Sequence, residues 1–332
     1  MGLSNILRQL IEINKRLLTI GTIFVILLAI TGHLIRDQSI VLAFMMYIPL
    51  LPLGLWAILL DFWQAGRSLP RFRFSLTFIG LGIAIWGGLS MTGANDLKTN
   101  TVSNPVSLLH WNVKWGGIGY DNYLKNQYQG DEWASIRQDI YQRHPDIIVL
   151  SEPPQLDTWL DQLIEQMGAD WSFFKHNHTK RNGLAILSSW PLQFERLIKI
   201  RDGAAMSVVV TVRDRPLRLL LVDGKRSVRR LRTPRLTDII QIAIDNQKKG
   251  QPIDIIVGDF NAVSRSLGFD VYSTAGYQLA SKVARVWRGT WPTFLPLYDI
   301  DHIWVHKRFQ IVNVDMFSNL NTDHRGQKVS FQ

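Results

Sequence analysis

The sequence predicts a mixed sandwich domain, α/β or α+β, preceded by three membrane-spanning helices. Three observations predict it. Charge-free apolar stretches crowd the first 94 residues, a polar stretch rich in Asn and Thr follows, and from residue 106 short β-rich runs alternate with amphipathic helical segments and turns.

The apolar stretches are Leu17–Ile35, Ile40–Leu60 and Phe74–Met91. Each is close to the roughly 20 residues that a helix needs to cross the hydrocarbon core. Pro49 and Pro52 interrupt the second, which membrane helices tolerate where neighbours re-satisfy the backbone. The first is too long for a signal peptide and lacks a small-residue cleavage site, so it is expected to stay as an anchor. Leu3, Ile6, Leu7, Leu10 and Leu17 recur at helical spacing and predict an interfacial helix ahead of it.

Arg8, Lys15 and Arg16 precede the first span, and Arg67, Arg71 and Arg73 lie between the second and third; the other two connections hold only Arg36 and Lys98. Basic residues are retained on the cytoplasmic side, so everything after Met91 is expected outside, and the protein is expected to be an integral membrane protein with an extracytoplasmic domain. Residues 1–94 form the expected membrane domain, 95–105 (NDLKTNTVSNP) the linker and 106–332 a second domain. The chain has no cysteine, which excludes disulfide partners, a thiolate zinc site and a thiol nucleophile. Its net charge of +10 favours anionic partners without naming one.

Strands are expected at 106–111, 146–150, 183–187, 205–212, 217–222, 253–257, 300–305 and 327–331. Helices are expected at 132–143, 156–167 and 235–246, the last capped by Thr233 and opened by Pro234. A polar residue stands at or near the end of each of several strands: Asn112, Glu152, Asp259 with Asn261, Asp301, and Asp323 with His324. One Asp or Asn there is ordinary turn chemistry. Five segments sharing the arrangement point to one site. Carboxylates with a side-chain amide suffice for Mg²⁺, or Mn²⁺, which take oxygen ligands and keep several waters. A carboxylate to orient water, an imidazole and a cation together meet the demands of in-line hydrolysis of a phosphate ester.

In order along the chain stand Trp111-Asn112, PDIIVLSE ending at Glu152, GLAILS from Gly183, GDFNA from Gly258, IDHIWV from Ile300 and Thr322-Asp323-His324. This ordered set resembles the endonuclease/exonuclease/phosphatase superfamily over residues 106–332. The resemblance implies an α/β two-sheet sandwich flanked by helices and a metal-dependent hydrolase of phosphate esters, of phosphodiesterase or nuclease type. It implies Glu152 as principal metal ligand with Asn112 assisting, Asp323 as a further acid at the metal, Asp259 as the carboxylate that activates water, and Asn261 as the amide that orients it. His324 is implied at the reacting phosphate, with Asp301 orienting it.

Many members carry a histidine where this sequence has Asp223, within Leu220–Lys225. An ionised carboxylate cannot donate to a phosphate oxygen, so Asp223 is expected to pair with Lys225 or Arg226, whose charges then face the substrate. The run Lys225, Arg226, Arg229, Arg230, Arg232 and Arg235 is either a solvated face or an attractor of polyanions or lipid headgroups. Trp287, Trp291 and Phe294 are expected in the core rather than on the rim, and His110, His176, His178 and His306 are expected to be structural or exposed. The alternatives left open are a nucleic-acid hydrolase, a lipid-directed phosphodiesterase or phosphatase, and a non-catalytic binder of anionic polymer or lipid.

Overall fold

A computed structural model describes residues 3–69, 72–97, 104–119, 131–179, 182–227 and 229–332. Two compact units part after Met91. The first is helical: α1 (Leu3–Ile35), α2 (Ile40–Met46), α3 (Leu50–Trp63) and α4 (Ser75–Met91). Its small core gathers Ile26, Ala29, Leu50, Ala57, Leu60, Leu76 and Ile83. A Cβ on Gly54 would lie 2.4 Å from the Gly80 carbonyl oxygen, so α3 and α4 approach each other backbone to backbone.

Among the described residues one helix, over Asn5–Ile35, is long and apolar enough to cross a bilayer. The pair α2 and α3 passes only if taken together across a 61° bend, and α4 is a shorter apolar helix of 17 residues. That is one clear candidate span rather than three. Pro49 accounts for the break in the second stretch: it disfavours helix at Ile48 and itself stands as the extended cap residue of α3. The separate interfacial helix is also corrected, because α1 runs unbroken from Leu3. No Pro or Gly interrupts the chain between Leu3 and Ile20.

The second unit is a sandwich of two six-stranded sheets. One sheet holds β1 (Val106–Asn112), β2 (Ile147–Ser151), β3 (Ser172–Thr179), β4 (Asn182–Ser188), β11 (Ile311–Phe317) and β12 (Gly326–Phe331), in the order β11-β12-β1-β2-β4-β3. The other holds β5 (Leu192–Ile200), β6 (Gly203–Val212), β7 (Arg215–Gly224), β8 (Ile255–Asp259), β9 (Tyr277–Leu279) and β10 (Asp301–His306), in the order β5-β6-β7-β8-β10-β9. Each sheet has one parallel pair, β1 with β2 and β7 with β8.

The central strands are apolar on both faces because both faces are covered. Leu108, Ile147, Val149, Leu219, Leu221 and Val257 meet between the sheets. The alternate residues Leu109, Ile148 and Leu150 pack outward on Trp133, Ile136, Ile140, Leu160 and Leu163 of α5 (Asp131–Gln142) and α6 (Asp157–Met167). Leu220, Val222 and Ile256 pack on Leu236, Ile239, Ile240 and Ala243 of α7 (Thr233–Lys248). The α7 start differs from expectation: Arg232 holds the cap position without a side-chain cap, and Thr233 lies inside the helix. Of the expected linker, residues 98–103 lie outside the described residues, and its start is part of the sandwich, where Asp96 N–H donates to the Val283 carbonyl.

Candidate active site

The register of both sheets brings the singled-out residues to one edge. Asn112 closes β1 opposite Ser151, one residue before Glu152. In the other sheet Asp223 pairs with Asp259 and Asp259 pairs with Asp301, so three strands present aspartate at the same level. Hydrogen bonds cross between the sheets: Asn112 Nδ2 donates to Asp259 Oδ2 at 3.1 Å, and Gln327 Nε2 donates to the Asp301 carbonyl at 2.8 Å. The Asn112 carbonyl oxygen side chain is itself fixed by the Lys114 N–H at 3.0 Å.

Asp259 also accepts the Asn261 N–H at 2.8 Å, and Asn261 Nδ2 donates to the Gly224 carbonyl at 2.8 Å. Both Glu152 and Asn261 adopt a left-handed backbone, with φ of 47° and 46°. A turn of that hand directly after a strand breaks the strand's alternation.

His324 comes from the segment before β12. Its Nδ1 lies 2.8 Å from Asp301 Oδ2, and both groups are buried. The loop is pinned by Trp111 Nε1, which donates to the His324 carbonyl at 2.9 Å, and by Thr322, whose Oγ1 donates to the Asn112 carbonyl and accepts the His324 N–H. Asp323 accepts Trp291 Nε1 through Oδ2 at 3.4 Å, and its carbonyl accepts the Thr293 N–H.

The electrostatics follow from crowding acids in a dry place. Burial, with the Asp301 carboxylate beside it, pushes the Asp259 carboxyl up to about 7. Burial acts to raise Asp301 too, but the His324 imidazole holds it below its ordinary value. Burial alone would lower His324, yet Asp301 and then Asp259 raise it to about 10, so the dyad is an ion pair at neutral pH. Burial also raises Glu152, with Asp323 adding to the effect and His324 and Asn112 opposing it. Asp259, Asp301 and His324 each offer a ligand atom within 4.8 Å of the others. A site in which the Asp259 and Glu152 carboxyls are forced upward while oxygen ligands converge fits a hard divalent cation.

The structure therefore brings together Asn112, Glu152, Asp259, Asn261, Asp301, Asp323 and His324. Asp223 lies buried on the same edge, while Lys225 and Arg226 are exposed beyond it. Arg226 sits over the Trp291 ring, 5.6 Å from its centroid. Phe294 departs from the expected core position and is exposed. Residue chemistry alone missed two supports. Thr290 Oγ1 accepts the Ile300 and Asp301 N–H groups, and a buried Arg288–Asp299 pair at 3.3 Å ties Ser264 to the segment before β10. Neither carries a sequence signal, since Thr290 and Arg288 lie in irregular chain outside every motif.

No match is found among curated protein sequences. Solved structures share the fold. The human Nocturnin catalytic domain, solved with bound sulfate, superposes with a TM-score of 0.51 at 18% identity, covering 69% of this chain and 93% of that one. A mannosyl-6-phosphatase of Bacteroides thetaiotaomicron gives 0.52 at 14% identity, covering 68% and 99%. D. rerio TDP2 in complex with a single-strand DNA product gives 0.50 at 15% identity, covering 69% and 100%. Residues 109–324 match the Endonuclease/Exonuclease/phosphatase family in sequence, and on that match the chain belongs to it.

Proposed function

We propose that this protein is a membrane-anchored, divalent-metal-dependent hydrolase of phosphate esters, a phosphodiesterase or nuclease in type, acting by in-line attack of water. Residues 1–91 form its membrane unit and the chain from Thr92 onward its catalytic unit, which lies on the extracytoplasmic side by the placement of basic residues. The observation that supports the reading most is the convergence of Asp259, Asp301 and His324, from three separate segments, within 4.8 Å. The names of two structural neighbours, a phosphatase of a mannosyl phosphate and a protein holding a DNA product, agree with phosphate esters as the substrate class.

Asp259, poised near neutrality by burial, takes the proton of the attacking water, and Asn261 orients that water. His324 is held charged by Asp301 through Nδ1 and presents its other nitrogen to the phosphoryl oxygens, stabilising the charge that develops there. Glu152 and Asn112, with Asp323 nearby, would hold Mg²⁺ or Mn²⁺, which when bound would supply Lewis-acid neutralisation of the phosphoryl charge. Lys225 and Arg226 supply cations at the mouth in place of a histidine donor at Asp223.

The test is turnover by the purified full-length chain in detergent, on DNA, RNA, phospholipids and p-nitrophenyl phosphate esters, with Mg²⁺, Mn²⁺ or chelator. Hydrolysis that chelator stops and Mg²⁺ restores is expected. No hydrolysis of any ester, or a rate indifferent to chelator, overturns the reading.

A further inference from the structure

The rim of the site is apolar where a soluble enzyme's rim would be polar. Phe294 is 80% exposed, Leu295 50% and Leu320 88%. The first two lie on the turn after Trp291 and the third on the segment leading to Asp323, and the two segments meet where Thr293 N–H donates to the Asp323 carbonyl at 2.8 Å. Lys225 and Arg226 stand exposed on the same side, since Arg226 caps the Trp291 ring. Isolated exposed leucines are common, but here Phe294 and Leu295, three and four residues after the Trp291 that Arg226 covers, and Leu320, three residues before Asp323, stand exposed on two segments joined by a hydrogen bond at the site, a combination that suits a lipid surface: apolar groups for the acyl boundary and cations for anionic headgroups.

The chain's own path favours the same partner. Directly after α4 the backbone adds to the sandwich: Thr92 bridges to Trp287, Gly93 N–H donates to the Val286 carbonyl and Ala94 N–H to the Lys282 carbonyl. The first residues of the sandwich unit are thus fastened at Trp287, seven residues before Phe294, a stretch of roughly 25 Å at most. A nucleic acid would find two stacking platforms here, Arg226 on Trp291 and the exposed Phe294 ring, but Leu295 and Leu320 have no flat face to offer a base.

We propose that the mouth docks on an anionic lipid surface through Phe294, Leu295 and Leu320, with Lys225 and Arg226 on the headgroups, and that the site takes a phosphate ester presented at headgroup level. The docking stands on this surface; the choice of substrate rests on the hydrolase reading above.

The absence of cysteine makes a direct test possible. Phe294→Cys, Leu320→Cys and the control Lys248→Cys, each labelled with an environment-sensitive fluorophore, are placed as full-length chains in nanodiscs of phosphatidylcholine with phosphatidylglycerol. Lys248 ends the 16-residue α7, whose start lies by the site, so it sits about 24 Å away. Labels at 294 and 320 are expected to emit at shorter wavelength and to be shielded from iodide, whereas the label at 248 stays open. Equal quenching at all three positions overturns the docking, and shielding that appears only on adding single-stranded DNA reassigns the rim to nucleic acid and overturns it as well. In the second arm, Phe294→Ser, Leu295→Ser and Leu320→Ser are combined. Hydrolysis of phosphatidylglycerol in the disc is expected to fall about tenfold or more, because transfer of each side chain into the acyl boundary is lost, while kcat/KM on soluble bis(p-nitrophenyl) phosphate is kept. Equal loss on both esters overturns the lipid substrate. Shielded labels in a parent chain that hydrolyses neither ester support the docking and count against the hydrolase reading alone.

Discussion

In the helical unit the large side chains on the outside are apolar, among them Leu17, Ile20, Phe24, Leu27, Phe78 and Leu89, and in the catalytic unit the same residue types are fully buried, as Leu108, Ile147, Leu219 and Ile256 are. Each unit also buries an aspartate, and the two fare differently. Asp61 accepts both the N–H and the hydroxyl of Thr77 through Oδ2, at 2.8 and 2.7 Å, and so joins α3 to the first turn of α4. Asp259 likewise accepts two hydrogen bonds, yet burial, with the acids around it, forces its carboxyl upward. A buried carboxylate met only by donors is a fastening. One crowded by other carboxylates carries electrostatic strain that a cation or a proton relieves, and such strain marks chemistry.

The largest effect that would break this distinction is at Asp259. Asp259→Asn is expected to lower kcat/KM by about a thousandfold, the loss typical of a positioned base. Its stability should move the other way. The folded carboxyl titrates above its unfolded value, so its contribution is full at low pH and is lost as pH rises through about 7; at pH 8 the variant should melt at the same temperature as the parent or higher. A normal rate, or a clearly lower melting temperature, would show Asp259 to be a fastening after all.

Next in size is the dyad. His324→Ala and Asp301→Ala should each cost about a hundredfold or more in kcat/KM, and the double variant little beyond His324→Ala, because an orienting carboxylate has nothing left to orient. Additive losses measured around the cycle would separate the two residues.

His110 sharpens the comparison as a buried group that is a fastening close to the site. Its Nε2 lies 3.1 Å from Ser151 Oγ, and burial lowers it to about 4. A histidine lowered in the fold stabilises it above the unfolded value of about 6.5 and loses that contribution as pH falls toward 4, by about 3 kcal/mol in all. His110→Gln should flatten the acid side of the stability curve by that amount relative to the parent. Taking the difference matters, since Asp259 slopes the opposite way over the same acid range in both chains. Identical slopes would mean that His110 is not buried neutral.

The smallest effect is expected at Asp61. Asp61→Ala should destabilise the full-length chain in detergent by about 1–2 kcal/mol, leaving the Thr77 donors unmet, with kcat/KM unchanged. A change in kcat/KM would show that the helical unit does more than hold the chain.

How much of this was legible in the sequence depended on burial. The strands that deliver the site, β1, β2, β8 and β10, are continuous apolar runs bounded by a polar residue, and all four could be placed to within two residues. The strands β3, β5, β9 and β11 went unseen. Of these β5 is exposed or half-buried up to its last residue, β11 mixes exposed and buried positions without strict alternation, β9 has three residues, and β3 carries Lys175, His176 and Asn177 in its middle, so none shows a sustained apolar run. Site residues within motifs could be named, whereas Thr290 and the Arg288–Asp299 pair could not. Their roles arise from chain segments that meet only on folding. The second apolar stretch was read as one span because apolar length was weighed above the two prolines, and the bend at Tyr47–Pro49 shows the prolines deciding.

The left-handed backbone at Glu152 and Asn261 has a consequence for how this protein could lose its activity. Asparagine tolerates that conformation and glutamate does so at a cost of about 1 kcal/mol or more, while glycine enters it freely. Glu152→Gly therefore discards the acid expected to grip the cation and at the same moment relaxes the chain. For this fold, inactivity at that position lies downhill, and a duplicated copy released from its task would drift there without any penalty in folding to slow it.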